Sequence, residues 1–349
     1  MGSTRGRTFT KFMAVTGAAD LVAGGGSRAR LLVLVGADEG TKVNSAGRYR
    51  VAGSSDIFKL IPESLKYDRV NLRWQALRQG MRPDLGRYDC VLNLVTDPDQ
   101  QPRTLEAVQK LLRGYRGRIV NRPEAVLRTT RDLVARRLAG IRGLRVPKVL
   151  RLRNPKPGAA SKAAERAGLA FPLIVRVAGT HTGRVLGLSD DAAGLDALCG
   201  GRGDFIATEF VDYRSADGLF RKYRFWAFGK RSIFRHMVAS DDWNVHVKAR
   251  LAFMLERNDL IAEEQKLLTL AEGAFPPQIH AVFDAVRTRI GLDFFGMDFA
   301  LGSDGQVILF EANATMNFFP LEVHPKFSYL GKIEAPARAA FVDMLGFGG

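Results

Sequence analysis

Acidic and amide side chains near the carboxyl end of the chain stand where they could bind a metal ion. Asp298 lies in one β-prone run, and Glu311 and Asn313 lie in the next. Two carboxylates that lie close together repel each other, and a hard divalent cation relieves that repulsion. Because Mg²⁺ prefers oxygen ligands, these three side chains predict a magnesium site. The alternative is a solvent-exposed acidic face, against which the aromatic neighbours Phe294 and Phe318 favour burial.

The residues between the two runs predict how these side chains come together. Residues 302–305 (GSDG) have the composition of a hairpin turn. Pairing Leu301 with Gln306 across the turn puts the three oxygen-bearing side chains on one face, because side chains alternate faces along a strand. Small Gly296 and Ala300 fall on that face and are expected to leave room for a ligand.

A second hairpin carries cations instead of acids. With a two-residue turn at residues 229–230 (GK), Arg224 lies directly opposite Arg235, and Lys222 falls on the same face. Like charges opposite each other destabilise a sheet, so this arrangement predicts a bound polyanion, with triphosphate the first candidate. The alternatives are a solvated basic face, or a one-residue bulge that would separate the set.

Two further features could contact a nucleotide. Residues 207–213 (ATEFVDY) read as a strand that breaks into a loop, where backbone groups could meet an adenine edge. Residues 179–183 (GTHTG) form a glycine-flanked turn whose backbone N–H groups could close over phosphates, with His181 inside it. The same turn could equally be a plain hairpin connection. His236 is expected on the face away from Arg235, in a structural role.

The pattern of elements predicts a mixed α/β fold. Short apolar runs at residues 31–36 and 90–96, a shorter one at 118–120, and a helical pattern at 104–115 predict a parallel, βαβ-wound first domain. A helix is predicted from Pro123 onward, since proline suits the first turn.

The rest of the chain reads as strands followed by mixed elements. Strands and hairpins are predicted at 171–188, from 205 to 238 and at 294–312, and helices at 255–271, 278–290 and 335–345.

Composition limits the classes of protein. The chain has 349 residues, of which 46% are hydrophobic and 25% charged, and no apolar run long enough for a membrane helix. Cys90 and Cys199 are isolated, which fits a reducing cytoplasm. Residues 1–29 are expected to be a flexible leader, because Asp20 and residues 24–26 (GGG) interrupt any signal peptide. The net charge of +16 fits an anionic substrate at least as well as nucleic acid, because few aromatics accompany the arginines between Arg113 and Arg153.

The carboxyl-terminal residues resemble a known signature. Asp298 followed by Glu311-Ala312-Asn313 resembles the metal-binding D…E-x-N pattern of the ATP-grasp superfamily, which includes glutathione synthetase, D-alanine–D-alanine ligase and ribosomal-protein glutamate ligases. Residues 119–132 and 171–176 resemble that superfamily's segments leading out of the first domain and into the nucleotide site. The resemblance covers about 119–320, and 30–118 more weakly.

The resemblance implies a domain plan. We expect an ATP-grasp fold, α/β and α+β, with a Rossmann-like pre-ATP-grasp domain at 30–121. A small ATP-grasp subdomain would follow at 122–205, and a large subdomain with the metal site at 206–349.

The resemblance also implies an activity. It implies an ADP-forming carboxylate–amine ligase that uses ATP and Mg²⁺, passes through an acyl-phosphate, and acts on carboxylate and amine substrates; a homodimer is one expected assembly. Arg235 and Arg224 would act on the acyl-phosphate as it forms. The implied nucleotide contacts are Arg131, Arg176, Glu209, Phe210, Val211, Lys222, Gly179, His181 and Gly183. Arg131 and Arg176 stand where family members usually carry lysine.

Two other functions remain open from the residues. A phosphotransferase on the same fold, resembling the inositol polyphosphate kinases, would use the same D…E-x-N set with a hydroxyl acceptor. A non-catalytic protein that binds nucleotide or nucleic acid would bind without turnover.

Overall fold

The computed structural model describes residues 30–38, 42–43, 49–50, 55–80, 82–180, 185–321 and 324–347. The strands, in chain order, are β1 (Leu31–Gly36), β2 (Lys42–Val43), β3 (Tyr49–Arg50), β4 (Tyr67–Leu72), β5 (Cys90–Asn93), β6 (Arg118–Val120), β7 (Leu144–Arg145), β8 (Val149–Arg153), β9 (Leu173–Val177), β10 (Gly187–Ser189), β11 (Asp204–Glu209), β12 (Phe220–Phe228), β13 (Arg231–Ser240), β14 (Phe294–Leu301) and β15 (Val307–Asn313). The α-helices are α1 (Trp74–Arg78), α2 (Pro102–Leu111), α3 (Pro123–Val126), α4 (Arg131–Leu138), α5 (Ala159–Arg166), α6 (Ala192–Leu198), α7 (Ala249–Ala252), α8 (Asn258–Leu267), α9 (Pro277–Ile290) and α10 (Glu334–Leu345). Short 3-10 helices cover Ile57–Leu60, Leu85–Arg87, Met254–Glu256 and Pro325–Ile333.

The first sheet is parallel and has the order β4-β1-β5-β6. Its central strand β1 is buried along its whole length, as expected of a parallel strand covered on both faces. The amphipathic helix α2 follows β5 and packs Leu105 and Val108 into the core. The predicted parallel α/β region at the start of the chain is confirmed.

A small antiparallel sheet follows, with the order β10-β9-β11-β8. Helices α5 and α6 pack together and against this sheet. Its side chains form a hydrophobic cluster of their own, separate from the main core; the fully or nearly fully buried members are Leu152, Ala160, Ala164, Leu173, Val175, Leu195, Cys199, Phe205 and Ala207. This separate core makes the small sheet one packing unit.

The largest sheet has the order β13-β12-β14-β15-β7. It is antiparallel apart from β7, which pairs in parallel with β15. Phenylalanine rings fill the space beneath α9: Phe283 lies 4.3 Å from Phe225 and 5.1 Å from Phe299 between ring centroids. Such contacts add to the hydrophobic burial of large aromatic side chains. This core holds β12, β14 and β15 rigidly beside one another.

The helix predicted from Pro123 is divided into α3 and α4. The Thr129 hydroxyl donates to the Val126 carbonyl, and Thr130 adopts an extended backbone. Side-chain hydroxyls that bond to nearby backbone groups compete with helix continuation. The break starts a new helix at Arg131, which therefore lies in the first turn of α4.

Both hairpins of the large sheet contain a one-residue bulge, which corrects the predicted registers. Leu301 pairs with Val307, not with Gln306, because the loop closes through a Gly302 N–H bond to the Gln306 carbonyl. A bulge beyond Phe299 then shifts the remaining pairs. In the other hairpin a bulge between Arg224 and Phe225 breaks the expected pairing.

None of the helices that the structure describes combines the length and apolar character that crossing a bilayer requires.

Candidate active site

Asp298 and Glu311 lie directly opposite each other on β14 and β15. Residues opposite each other in an antiparallel pair share a face, so both carboxylates point to the same side of the sheet. The predicted convergence is therefore present, although the register differs from the predicted one. Without the bulge, the longer hairpin loop would have put Glu311 on the other face of the sheet. The extra residue returns Glu311 to the face of Asp298.

Asp298 is held by cations from β12. Arg224 pairs with it in the sheet and donates from Nε to Oδ1 (2.5 Å) and from a terminal nitrogen to Oδ2 (2.9 Å). Lys222 Nζ lies 3.7 Å from Oδ2. Burial alone would raise the pKa of Asp298, but the charges of Arg224 and Lys222 and the Arg224 hydrogen bond outweigh it and hold that pKa below its usual value. Asp298 is thus a buried, ionised carboxylate.

Glu311 is held by a cation from a different element. Arg131, at the start of α4, lies 2.9 Å from Glu311 Oε2 and donates to the Phe310 carbonyl at 2.6 Å. Asn313 Nδ2 donates to Glu311 Oε1 at 2.7 Å. The ring of Phe310, the residue beside the bulge, packs against Tyr213 at 4.8 Å between centroids. Arg131 and Tyr213 together fix the backbone that carries Glu311.

Asn313 supports the site through its neighbours. Its Oδ1 accepts the backbone N–H groups of Thr315 (2.8 Å) and Met316 (3.1 Å). An amide oxygen has two lone pairs, so both are engaged here. In this arrangement Asn313 orients Glu311 and the following loop, and its role as a metal ligand stays a prediction.

The donor set fits a hard divalent cation. Asp298 and Glu311 present carboxylate oxygens from one face, and Mg²⁺ typically takes one or two carboxylates together with phosphate oxygens. No group of three or more His, Cys, Asp or Glu side chains suited to a metal occurs in the part of the chain that the structure describes. Two carboxylates leave coordination positions that oxygens of a substrate could fill.

Arg176 reaches the same place from the small sheet. Burial and the charge of Arg131 lower its pKa to about 10, against the opposite effect of Glu311 and Asp298. Burial disfavours the charged guanidinium, and an anion bound beside it would favour the charged form. The position of Arg176 therefore suits a bound anion.

A cleft runs between the small sheet and the largest sheet. Glu311 and Arg131 line one side, and Arg176 and Gly179 line the other. Apolar walls come from both sheets and from the segment before β8; they include Val146, Val149, Ile206 and Leu309. Apolar side chains and the cations Arg131 and Arg176 therefore line the same cleft.

The predicted hinge is only partly directed at this cleft. Ile206 and Thr208 of β11 line it, whereas the Glu209 carboxylate accepts the N–H groups of Ala170 (2.9 Å) and Lys148 (3.3 Å). The Phe210 N–H donates to the Pro172 carbonyl at 2.9 Å. Val211 is buried. The side chain of Glu209 thus connects β11 with the residues that precede β8 and β9.

The glycine turn is described only at its start. Gly179 lines the cleft at φ +71°, in the left-handed region that favours glycine. His181 and Gly183 lie outside the described residues.

Arg235 does not face Arg224, which corrects the predicted pairing. Arg224 pairs with His236 instead, so His236 shares the face of the acid pair and Arg235 is displaced by the bulge. Arg235 donates from Nε to the Phe318 carbonyl at 2.7 Å and also to the Pro320 carbonyl. Burial, together with the charges of Arg224 and Arg250, lowers its pKa to about 9.

The expected space above Gly296 is filled, which is a further correction. A Cβ placed on Gly296 would lie 2.7 Å from Met316 Sδ and 3.2 Å from the Trp226 ring. Met316 comes from the loop after β15, a long-range contact that the strand pattern does not reveal. Gly296 is therefore small because Met316 and Trp226 pack against it.

Sequence reasoning missed the loop after β5. Asp97, Pro98 and Asp99 line the cleft, and the Thr315 hydroxyl donates to the Thr96 carbonyl at 2.9 Å. Ligands of open α/β sheets bind beyond the carboxyl ends of the strands, so the DPD sequence after a buried strand was an available signal.

Solved structures of similar fold were found across nearly the whole chain. A RimK-domain ATP-grasp protein from Sphaerobacter thermophilus is 14% identical, with a TM-score of 0.52 and coverage of 91% of this chain and 99% of that one. The VanG D-Ala:D-Ser ligase from Enterococcus faecalis is 13% identical (TM-score 0.55; 92% and 99% covered). D-alanine–D-alanine ligase from Bacillus anthracis, complexed with ATP, is 12% identical (TM-score 0.50; 91% and 95% covered).

No family model matches the chain, and no curated protein is significantly similar to it in sequence. The likeness is therefore one of fold. The chain has the ATP-grasp fold.

Proposed function

We propose that the protein is an ATP-dependent carboxylate–amine ligase that releases ADP and phosphate. One observation carries the proposal. Cationic side chains from three separate elements, Arg131, Arg176 and the pair Lys222 and Arg224, surround the opposed carboxylates, of which Glu311 lines the cleft. A polyanion accompanied by a divalent cation satisfies both charge types at once.

Partner exchange explains how such a set can open to a substrate. Each carboxylate has an intramolecular cationic partner, so the set is balanced without ligand. A magnesium-bound triphosphate offers a cation to Asp298 and Glu311 and phosphate oxygens to Arg131 and Arg224. Arginine binds carboxylate and phosphate with the same planar fork, so this exchange keeps its hydrogen bonds.

The nucleotide would lie along the cleft. The adenine ring would pack between the apolar walls near Ile206 and Leu309, while Arg176 and Lys222 bind phosphate oxygens. Asp298 and Glu311, with Asn313 in reach, would hold magnesium, which neutralises charge on the transferring phosphoryl group.

The chemistry needs no protein nucleophile. A carboxylate oxygen of the substrate attacks the γ-phosphorus, the bond to the β,γ-bridging oxygen breaks, and ADP leaves. Arg224, beside Asp298, would stabilise the developing acyl-phosphate. An amine then attacks the acyl carbon, phosphate leaves with the bonding pair, and the amine proton passes to solvent, giving an amide.

The position of Arg235 supports a different task from the one the sequence predicted. Its guanidinium is occupied by the Phe318 and Pro320 carbonyls, and the Asp56 carboxylate accepts the N–H groups of Phe318 and Phe319. We assign Arg235 to holding this loop beside the acid pair, and acyl-phosphate stabilisation to Arg224.

The cellular location belongs to the same proposal. Cys90 and Cys199 are both free and buried. Free thiols fit a reducing cytoplasm, where ATP and magnesium are abundant.

A product screen tests the proposal. Magnesium-dependent ADP release is measured with pools of amino acids, short peptides and other carboxylates, each with and without amine acceptors, and products are identified by mass spectrometry. A new amide with stoichiometric phosphate is the expected result. A phosphorylated product without free phosphate would instead indicate a phosphotransferase, and nucleotide binding without turnover across the screen would refute catalysis.

A further inference from the structure

A short loop after β5 contacts both sides of the cleft. Asp97 is fully buried, and its Oδ1 accepts the backbone N–H groups of Asp99 (2.9 Å) and Gln100 (3.0 Å). This turn fixes the backbone from which the Asp99 and Gln100 side chains extend. Both side chains point away from the parallel sheet that carries them, towards the small sheet.

Gln100 forms a hydrogen bond with the segment that follows β9 of the small sheet. Its side-chain amide nitrogen donates to the Gly179 carbonyl, across 79 positions of sequence. A Cβ added to Gly179 would lie 3.1 Å from Asp99 Cβ, so Gly179 lies close to the Asp99 side chain. The contact joins the first sheet to the end of the strand that carries Arg176.

Arg151, on β8, makes a second connection. Its side chain is 10% exposed and lies 2.9 Å from Asp99 and 2.9 Å from Asp132, with Asp204 at 3.9 Å. Asp99 belongs to the loop after β5 and Asp132 to α4. One guanidinium thus joins the first sheet, the helix of Arg131 and the small sheet.

These two connections determine where Arg176 can lie. β9 and β8 both pair with β11, so fixing Arg151 on one side and Gly179 on the other restrains the whole small sheet. Arg131 and Arg176 belong to different packing units, yet both interact with Glu311. Without a tie between those units, Arg176 would not keep a constant distance from the acid pair.

We propose that Gln100 and Arg151 are positioning residues that hold the small sheet so that Arg176 lines the cleft beside Glu311. The inference rests on the proposed function, because the cost of losing the tie is expressed as weaker nucleotide binding. The loop after β5 of the first sheet would thus increase the affinity for the nucleotide without contacting it.

The test compares Gln100→Ala and Gln100→Glu with a control, Gln109→Ala. Gln109 is an exposed glutamine on helix α2, which begins just after Gln100. Two quantities are measured: amide hydrogen exchange at residues 177–179 without nucleotide, and the dissociation constant of magnesium AMPPNP by calorimetry. A neutral hydrogen bond contributes roughly 1 kcal/mol, so Gln100→Ala should weaken AMPPNP binding about fivefold. Exchange at 177–179 should accelerate by a similar factor.

Gln100→Glu separates positioning from simple side-chain size. It keeps the length but places an acceptor against the Gly179 carbonyl, so its effect should equal or exceed that of alanine. KM for ATP should rise in both variants while kcat at saturating ATP stays within about twofold, because the tie acts on binding. Gln109→Ala should match the wild type in every measurement.

Failure of this inference and failure of the proposed function give different results. Wild-type exchange and wild-type AMPPNP affinity in both Gln100 variants would overturn the positioning role. If the wild type does not bind AMPPNP, the nucleotide site itself is refuted, and unchanged exchange at 177–179 would still decide against the tie.

Discussion

Asp298 and Glu311 face each other across two antiparallel strands, and each carboxylate is neutralised by an arginine from a different element. Arg224 comes from the neighbouring strand of the same sheet, whereas Arg131 begins a helix more than 150 positions earlier in the sequence. Asp298 is buried and Glu311 partly buried, and the arginine partners offset the cost of placing the two carboxylates there. The same partners are what a nucleotide phosphate would bind.

The pairing of Arg224 with Asp298 predicts a pH-dependent stability difference. Arg224→Met leaves a buried carboxylate without its main partner, which should lower the free energy of unfolding by about 3 kcal/mol at pH 7 in the absence of nucleotide. The folded-state pKa of Asp298 is depressed, so its contribution is present above the unfolded value of 3.8 and is lost as pH falls through the lower folded value.

Urea unfolding of both proteins between pH 7 and pH 3 measures this difference. The difference in unfolding free energy should become smaller as the pH falls. Protonation of Asp298 removes the stabilising ion pair from the wild type, whereas in Arg224→Met it neutralises a carboxylate that has lost its main partner. Arg231→Met is the matched control, since Arg231 and its partner Asp343 are 63% and 50% exposed and should contribute less than about 0.5 kcal/mol. A constant difference for Arg224→Met at all pH values would contradict the assigned ion pair.

Arg176 is predicted to lower the free energy of unfolding in the absence of nucleotide and to strengthen the binding of ATP. Its folded-state pKa is lowered by burial and by Arg131, so its charge opposes folding when no anion is bound. Arg176→Met should therefore raise the free energy of unfolding by about 1 kcal/mol and raise KM for ATP at least tenfold, since hydrogen bonds to charged groups contribute roughly 1.5–3 kcal/mol. Thermal unfolding and steady-state kinetics measure the two effects, and a loss of stability in Arg176→Met would count against an anion site.

Gly296 is predicted to be intolerant of a methyl group. A Cβ there would lie 2.7 Å from Met316 Sδ, so Gly296→Ala should cost about 1–3 kcal/mol of unfolding free energy by overpacking. Combining it with Met316→Ala should cost less than the sum of the two single changes, because the smaller side chain removes the clash. Gly331→Ala is the control, since its Cβ meets nothing within 4 Å. Additive costs in the double variant would refute the contact.

Local patterns predicted the elements of this fold well. The apolar run of β1, the amphipathic spacing of α9 and the turn residues between β14 and β15 depend on neighbours in sequence, so they can be read from sequence. The convergence of Asp298 with Glu311 was expected from strand alternation in a register that proved wrong, and it is present because the bulge compensates for the longer loop.

Features that depend on distant packing could not be predicted. The bulge near Phe310 is stabilised by Tyr213 and Arg131, and the filling of Gly296 depends on Met316. The bulge beside Arg224 placed His236 instead of Arg235 opposite Arg224, because a one-residue insertion reverses which side chains share a face.

The central claim is that Asp298 and Glu311 serve a magnesium nucleotide, and magnesium-dependent ADP release by Glu311→Gln tests it most directly. Glu165→Gln, an exposed change on α5, is the control, and urea unfolding verifies that both variants fold. Glu311→Gln should fold and lose magnesium-dependent turnover by at least a hundredfold, since several kcal/mol of transition-state stabilisation depend on the ion. Turnover equal to the wild type in a folded Glu311→Gln variant would contradict it.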